Sequence, residues 1–258
     1  MTTPNLMDNI MLFQSQITVN KRFASYDFCY NYFQQNKGQL STPQNIEHSC
    51  YVLFSYLASW GMLRGSSQLL QCSPAALIEL IRHFDKIKNS PIWDLDVPDY
   101  ADPNSIPDIM KEYELLGGIL TSIFSDAKGK VSYNYEEEND SNIIGDTKTS
   151  IPTDTLITKI MLGVFGVVPA FDTYFKNTMK KIYQNGTDIS SSFSKISGNA
   201  LKCILDFYLS NKDVLDAIKI LVRDFSGLST GRYYKIAKLI DMFGFMAEFI
   251  IAQKAKNK

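Results

Sequence analysis

From Thr153 to Met179 the chain reads TDTLITKIMLGVFGVVPAFDTYFKNTM, and this stretch restricts the fold most tightly. Leu156, Ile157, Ile160, Met161, Val164 and Phe165 form pairs recurring every four residues, which predicts a helix over 154–166 with one broad apolar face. Gly166 ends the pattern, and Pro169 cannot continue a helix. Asp172 followed by Thr173 is a good helix start, so a second helix is expected over 172–184 with Asp172 as its N-cap, at the positive end of the helix dipole. A single carboxylate delivered in this way suits an enzyme that needs one working acid. It equally suits a helix that needs only a cap.

The same periodicity predicts helices over 22–36, 44–60, 74–88, 107–125, 197–210, 213–225 and 231–255. No run alternates apolar and polar residues as a half-buried strand does, so an all-α fold is expected. The final segment is apolar around most of its circumference, with Leu239, Ile240, Phe243, Met246 and Ile250 among its members, and is expected to be a buried central helix. PIWDLDVPDYADPNSIPD, from Pro91 to Asp108, is rich in proline and acid and reads as an irregular connection. Residues 126–150 are polar and acidic with few core residues, which predicts a mobile insertion or exposed hairpin between a lobe over 1–125 and a lobe over 151–258. No internal repeat is visible.

At 258 residues, 45% of them hydrophobic, the chain can bury a large core. It has no uninterrupted apolar run of the ~18 residues a membrane span requires, and MTTPNLMDNI lacks the basic-then-apolar order of a signal peptide, so a soluble cytoplasmic protein is expected. Cys29, Cys50, Cys72 and Cys203 are scattered without a CxxC pair and are expected to be buried free thiols. His48 and His83 are the only histidines and lack ligand spacing, so no metal site is expected. The net charge of −1 conceals a division: residues 1–150 hold 11 Lys and Arg against 18 Asp and Glu, and residues 151–258 hold 15 against 9. A basic half suits a polyanion such as nucleic acid.

The order of helix, short loop with proline, hydrophobic residue, Asp-Thr and second helix in TKIMLGVFGVVPAFDTYFKNTM resembles the core of the helix-hairpin-helix base-excision DNA glycosylases. Pro169, Asp172 and Thr173 carry the likeness. The resemblance implies a protein that acts on DNA without a cofactor, in which Asp172 assists departure of a flipped-out base by stabilising positive charge on the sugar or activating an attacking group. Some members of that family also use a lysine nucleophile on the preceding helix. Lys159, 13 residues before Asp172 and the one lysine of its helix, matches that role, with Gly163 leaving space beside it. A desolvated lysine there could form a Schiff base with the opened sugar, whereas the plainer expectation is a solvated or snorkelling side chain. The likeness covers about 25 residues. The chain departs from the family before the first helix, where GDTKTSIPTDT, with Gly145, replaces the Gly-x-Gly hairpin that holds phosphate, and no iron–sulfur cysteine cluster follows.

Other segments suit the same chemistry. Trp60 to Ser67 breaks a helix with Gly61 and Gly65 and offers Trp60 to a base face and Arg64 to a phosphate; alternatively Trp60 is a core residue whose indole N–H wants a partner. Ser229 to Lys235 is expected to open the last helix, with Arg232 and Lys235 beside a phosphate-binding N-terminus or with a hydroxyl as a plain cap. Lys176 and Lys180 lie one turn apart on the helix after Asp172 and could track a DNA backbone, although such lysines also serve as a solvated face. Glu136, Glu137 and Glu138 look too exposed for acid–base work. The leading expectation is therefore an all-α, DNA glycosylase-like hydrolase. The alternative is a helical interaction protein in which Asp172 only caps; a nuclease is disfavoured because no carboxylates stand at metal-ligand spacing.

Overall fold

The computed structural model describes residues 5–64, 67–127, 151–183 and 193–256. Within them the chain is all-α apart from one short hairpin. The helices are α1 (Leu6–Ser15), α2 (Ser25–Gln35), α3 (Ile46–Ser59), α4 (Ile78–Lys86), α5 (Ser105–Ala127), α6 (Asp154–Phe165), α7 (Thr173–Ile182), α8 (Gly198–Ser210), α9 (Lys212–Ala217) and α10 (Ile236–Lys256). The polar stretch 126–150 lies, beyond the last two residues of α5, outside the described residues, as do Gly65, Ser66, Gly145 and Glu136 to Glu138.

Two expectations fail at the same place. The helix expected over 213–225 stops at Ala217, and Leu221–Arg223 (β1) instead pairs antiparallel with Ser229–Tyr233 (β2), Leu221 opposite Tyr233 and Arg223 opposite Ser229. The turn between them is self-contained: Asp224 Oδ1 accepts from Ser226 N and Leu228 N, each at 2.9 Å, and Gly227 takes the left-handed φ of 81° that a side chain would resist. A strand of three residues is too short for alternation to register, and β2, Ser-Thr-Gly-Arg-Tyr, has none in its sequence. Ser229–Lys235 is consequently a strand and its exit, not the opening of a helix. The N-terminus of α10 is capped from a distant loop, since Ile236 N and Ala237 N donate to Asp96 Oδ2 and Oδ1 at 2.7 and 2.9 Å. That loop, expected to be irregular, is folded into two 3₁₀ turns, Pro91–Trp93 and Val97–Ala101. The periodicity also passes over α1, which is started by Asn5 accepting from Asp8 N at 3.3 Å. Its Met7, Met11 and Leu12 are exposed while Ile10 and Phe13 are buried, so apolar residues ring the helix and leave no face to read.

One cluster of buried side chains runs from Ile10 to Ala247. The break at 126–150 therefore divides the chain and not the core: α1 packs on α10, and α2 on α6. Every residue of α10 from Ala237 to Ala247 is buried. Its close fit with α7 depends on Gly244, where an added Cβ would come within 2.5 Å of the Phe175 ring.

Candidate active site at the joint of α6 and α7

Thr153 caps α6 by accepting from Leu156 N at 3.3 Å, and Gly166, at φ 67°, ends it with its N–H on the carbonyls of Met161 and Leu162. Every residue from Leu156 to Phe165 is buried. The expected amphipathic helix is thus an internal one, and Lys159 has no solvated face to use. The space expected beside it at Gly163 is filled by Tyr56, whose Cε1 would stand 2.5 Å from a Cβ there.

The loop after α6 is strapped at successive residues. Tyr100 donates to the Val167 carbonyl at 2.5 Å, Ala170 N donates to Asp241 Oδ1 at 3.1 Å, and Phe171 N donates to Thr158 Oγ1 at 2.9 Å. Thr155 donates to the Phe171 carbonyl at 2.9 Å. These bonds fix the residue that follows. Asp172 caps α7, its Oδ1 accepting from Phe175 N at 3.0 Å, and turns Oδ2 toward Lys159 Nζ at 3.3 Å. The lysine side chain is 5% exposed and the carboxylate 14%. Two residues 13 apart in sequence thereby form one ion pair because the seven-residue connection from Gly166 to Asp172 brings the chain back over α6.

Trp60 covers this pair, with Lys159 Nζ 4.9 Å from its ring. Phe13, Phe23 and Phe245 pack around the indole, and the Arg22 guanidinium sits 5.2 Å from it. The indole N–H is buried and has no partner, as is the hydroxyl of Tyr26. Near the same rings lies a second pair, Lys238 Nζ to Asp241 Oδ2 at 2.7 Å, with the ammonium 4.6 Å from both the Phe13 and Tyr26 rings and 5.7 Å from Trp60. A Lys and an Asp three residues apart in an otherwise apolar helix carry the sequence signal for this pair.

The remaining expected residues are dispersed. Arg64 is exposed and folds back over Gly61, where a Cβ would meet its Nε at 2.8 Å. Lys176 and Lys180 are half-buried on α7 and form no ion pair among the described residues. Arg232 stands on β2 and donates Nη1 to Asn31 Oδ1 at 2.9 Å. Lys235 is not available to phosphate: its Nζ donates to the carbonyls of Trp93, Leu95 and Phe165, each at 2.9 Å, and burial pushes its pKa down to about 8. It ties the end of α6 to the 91–96 loop.

Two cavities of about 430 and 820 Å³ are lined by neither Lys159 nor Asp172. The larger one reaches toward them, since Tyr56 in its wall packs on Gly163 and feels the Asp172 charge. All four cysteines are buried and unbridged, and burial raises the pKa of each thiol. Among the described residues no group of three or more His, Cys, Asp or Glu could hold a metal ion, and no helix is long and apolar enough to cross a membrane. No family model, curated protein or solved structure matches the chain.

Proposed function

We propose that the chain is a DNA glycosylase-like enzyme that cleaves the N-glycosidic bond of a modified or damaged base, with Asp172 and Lys159 as its reacting groups. The observation that supports this is the 3.3 Å approach of Lys159 Nζ to Asp172 Oδ2 beneath Trp60. As the base leaves C1′, positive charge grows on the sugar. A carboxylate held in a dry, aromatic setting stabilises that charge far better than water does. Asp172 is the more exposed partner, and the cap on α7 fixes its other oxygen, so a displaced Lys159 leaves the carboxylate in place. Water attack on C1′ completes a hydrolysis; attack by Lys159 gives a Schiff base with the opened sugar instead. The unpartnered indole N–H of Trp60 is a donor for the base, and Lys176, Lys180 and Arg232 are candidate phosphate contacts.

Mass spectrometry of bases released from genomic DNAs rich in natural modifications tests the reading. Release of one base, lost in Asp172→Asn, is the expected result. Absence of release from every DNA by folded protein contradicts it.

A second reading is a helical interaction protein. It is favoured by the fact that neither Lys159 nor Asp172 lines either cavity, while Asp172 has a complete structural role as cap and ion-pair partner.

A further inference from the structure

The 820 Å³ cavity is a groove between α2 and α3, closed on one side by the β1–β2 turn, and its wall is built unlike the core beside it. Large side chains that a core would bury are left open here. Phe225, at the turn, is 83% exposed and touches only the edge of the groove through Phe28, with ring centroids 5.1 Å apart. Tyr51, on α3, is 52% exposed. Tyr32 on α2 and His48 on α3 form a tilted pair 4.9 Å apart that joins the two helices. The groove thus presents aromatic faces from both sides, within the ~300–1,000 Å³ range of ligand sites.

Two cations and one carboxylate are among the polar groups around these rings. Lys21 and Arg22 stand at the rim, and Arg22 has no carboxylate within ion-pair distance among the described residues. The one carboxylate of the lining, Asp224, turns Oδ1 to the backbone N–H groups of its own turn. Asn31, 5% exposed, gives its oxygen to Arg232 and has no partner for its amide N–H donors among the described residues. Aromatic faces for stacking, amide donors for base edges and unneutralised cations for phosphates are the three things that a single-stranded nucleic acid uses.

We propose that this groove binds a short single-stranded segment of nucleic acid, with bases stacked on Tyr51 and Phe225 and the backbone drawn by Lys21 and Arg22. The assignment stands on the groove's own geometry and holds whether or not Lys159 and Asp172 cleave a base. Its test uses ordinary thymine, so its outcome is independent of base excision. Fluorescence anisotropy of a labelled oligothymidylate of about 12 nucleotides should show saturable binding, within the site sizes usual for stacking platforms. Phe225→Ala and Tyr51→Ala, both at exposed positions, should each weaken it about tenfold. Lys21→Gln should reduce the salt slope by about one. Absence of saturable binding, or binding indifferent to both aromatic variants, overturns the assignment. So does displacement by polyphosphate with unchanged affinity in the variants, which would reduce the groove to a charged surface. Binding of oligoglutamate with the same losses would give the groove to an acidic peptide and likewise overturn it.

Discussion

Two Lys–Asp pairs lie beside Trp60, and they differ in how closely each is held. Lys238 and Asp241 stand one turn apart on α10, 2.7 Å apart, with side chains 1% and 8% exposed. Both carboxylate oxygens of Asp241 are used, one by Lys238 and one by Ala170 N. Lys159 and Asp172 come from different helices, meet at 3.3 Å, and leave Asp172 14% exposed. The first pair is a clamp that holds α10 to the loop carrying Asp172. The second is looser and nearer to solvent, which is where a carboxylate that must meet a substrate belongs. Burial beside a lysine is common to both pairs, and each acid keeps one further bond to a backbone N–H; the pairs differ in their separation and in how exposed the acid is.

The largest expected effect is on the clamp. Asp241→Asn leaves Lys238 charged and enclosed by rings, a loss of about 3–5 kcal/mol typical of breaking a buried pair, measured as the shift in a urea unfolding curve. Equal stability of variant and wild type would remove the distinction between the pairs.

The clamp side should also carry a pH dependence. Asp27 is wholly buried beside Tyr234 and Arg223 N, and burial raises its pKa from 3.8 to about 6 despite those hydrogen bonds and the nearby Lys238 charge. A folded pKa above the unfolded one means that the folded state binds the proton more tightly, so this group adds stability as pH falls from about 6 toward 4 and withdraws it as pH rises. At about 1.4 kcal/mol per unit the swing is about 3 kcal/mol at most. Denaturation between pH 4 and 7 should show that slope flattened in Asp27→Asn. Burial raises the Asp96 pKa as well, so a residual slope of the same sign is expected.

The smallest effect is expected at the candidate site. Asparagine keeps the cap on α7 but leaves the buried Lys159 without its counter-charge, so Asp172→Asn should cost about 2–3 kcal/mol, less than Asp241→Asn because Asp172 is the more exposed acid. With total stabilities usually about 5–15 kcal/mol, the variant stays folded.

Much of this was legible in the chain. The four-residue pairing from Leu156 to Phe165, the stop at Gly166 and the cap at Asp172 all follow from local chemistry, and local chemistry is what periodicity records. The Lys159–Asp172 contact was legible only as two residues on adjoining elements, because whether a lysine is buried depends on which partners cover the rest of its helix. Tyr56 against Gly163 comes from α3 and Trp60 over the ammonium from its C-cap, about 100 residues earlier. Lys235 shows the same limit from the other side: a basic residue in a hydroxyl-rich segment looked exposed, yet three distant carbonyls enclose it. The hairpin of β1 and β2 was hidden because β1 has only three residues and the sequence of β2, Ser-Thr-Gly-Arg-Tyr, does not alternate apolar with polar side chains.

The most direct test of the contrast between the pairs is to measure base release and unfolding midpoint side by side for wild type, Asp172→Asn and Asp241→Asn, using the DNA from which the wild type releases a base. Asp172→Asn should lose release by about 10²-fold or more while keeping most of its stability; Asp241→Asn should lose stability first. Release by folded Asp172→Asn at the wild-type rate would contradict the account and leave Asp172 as a cap.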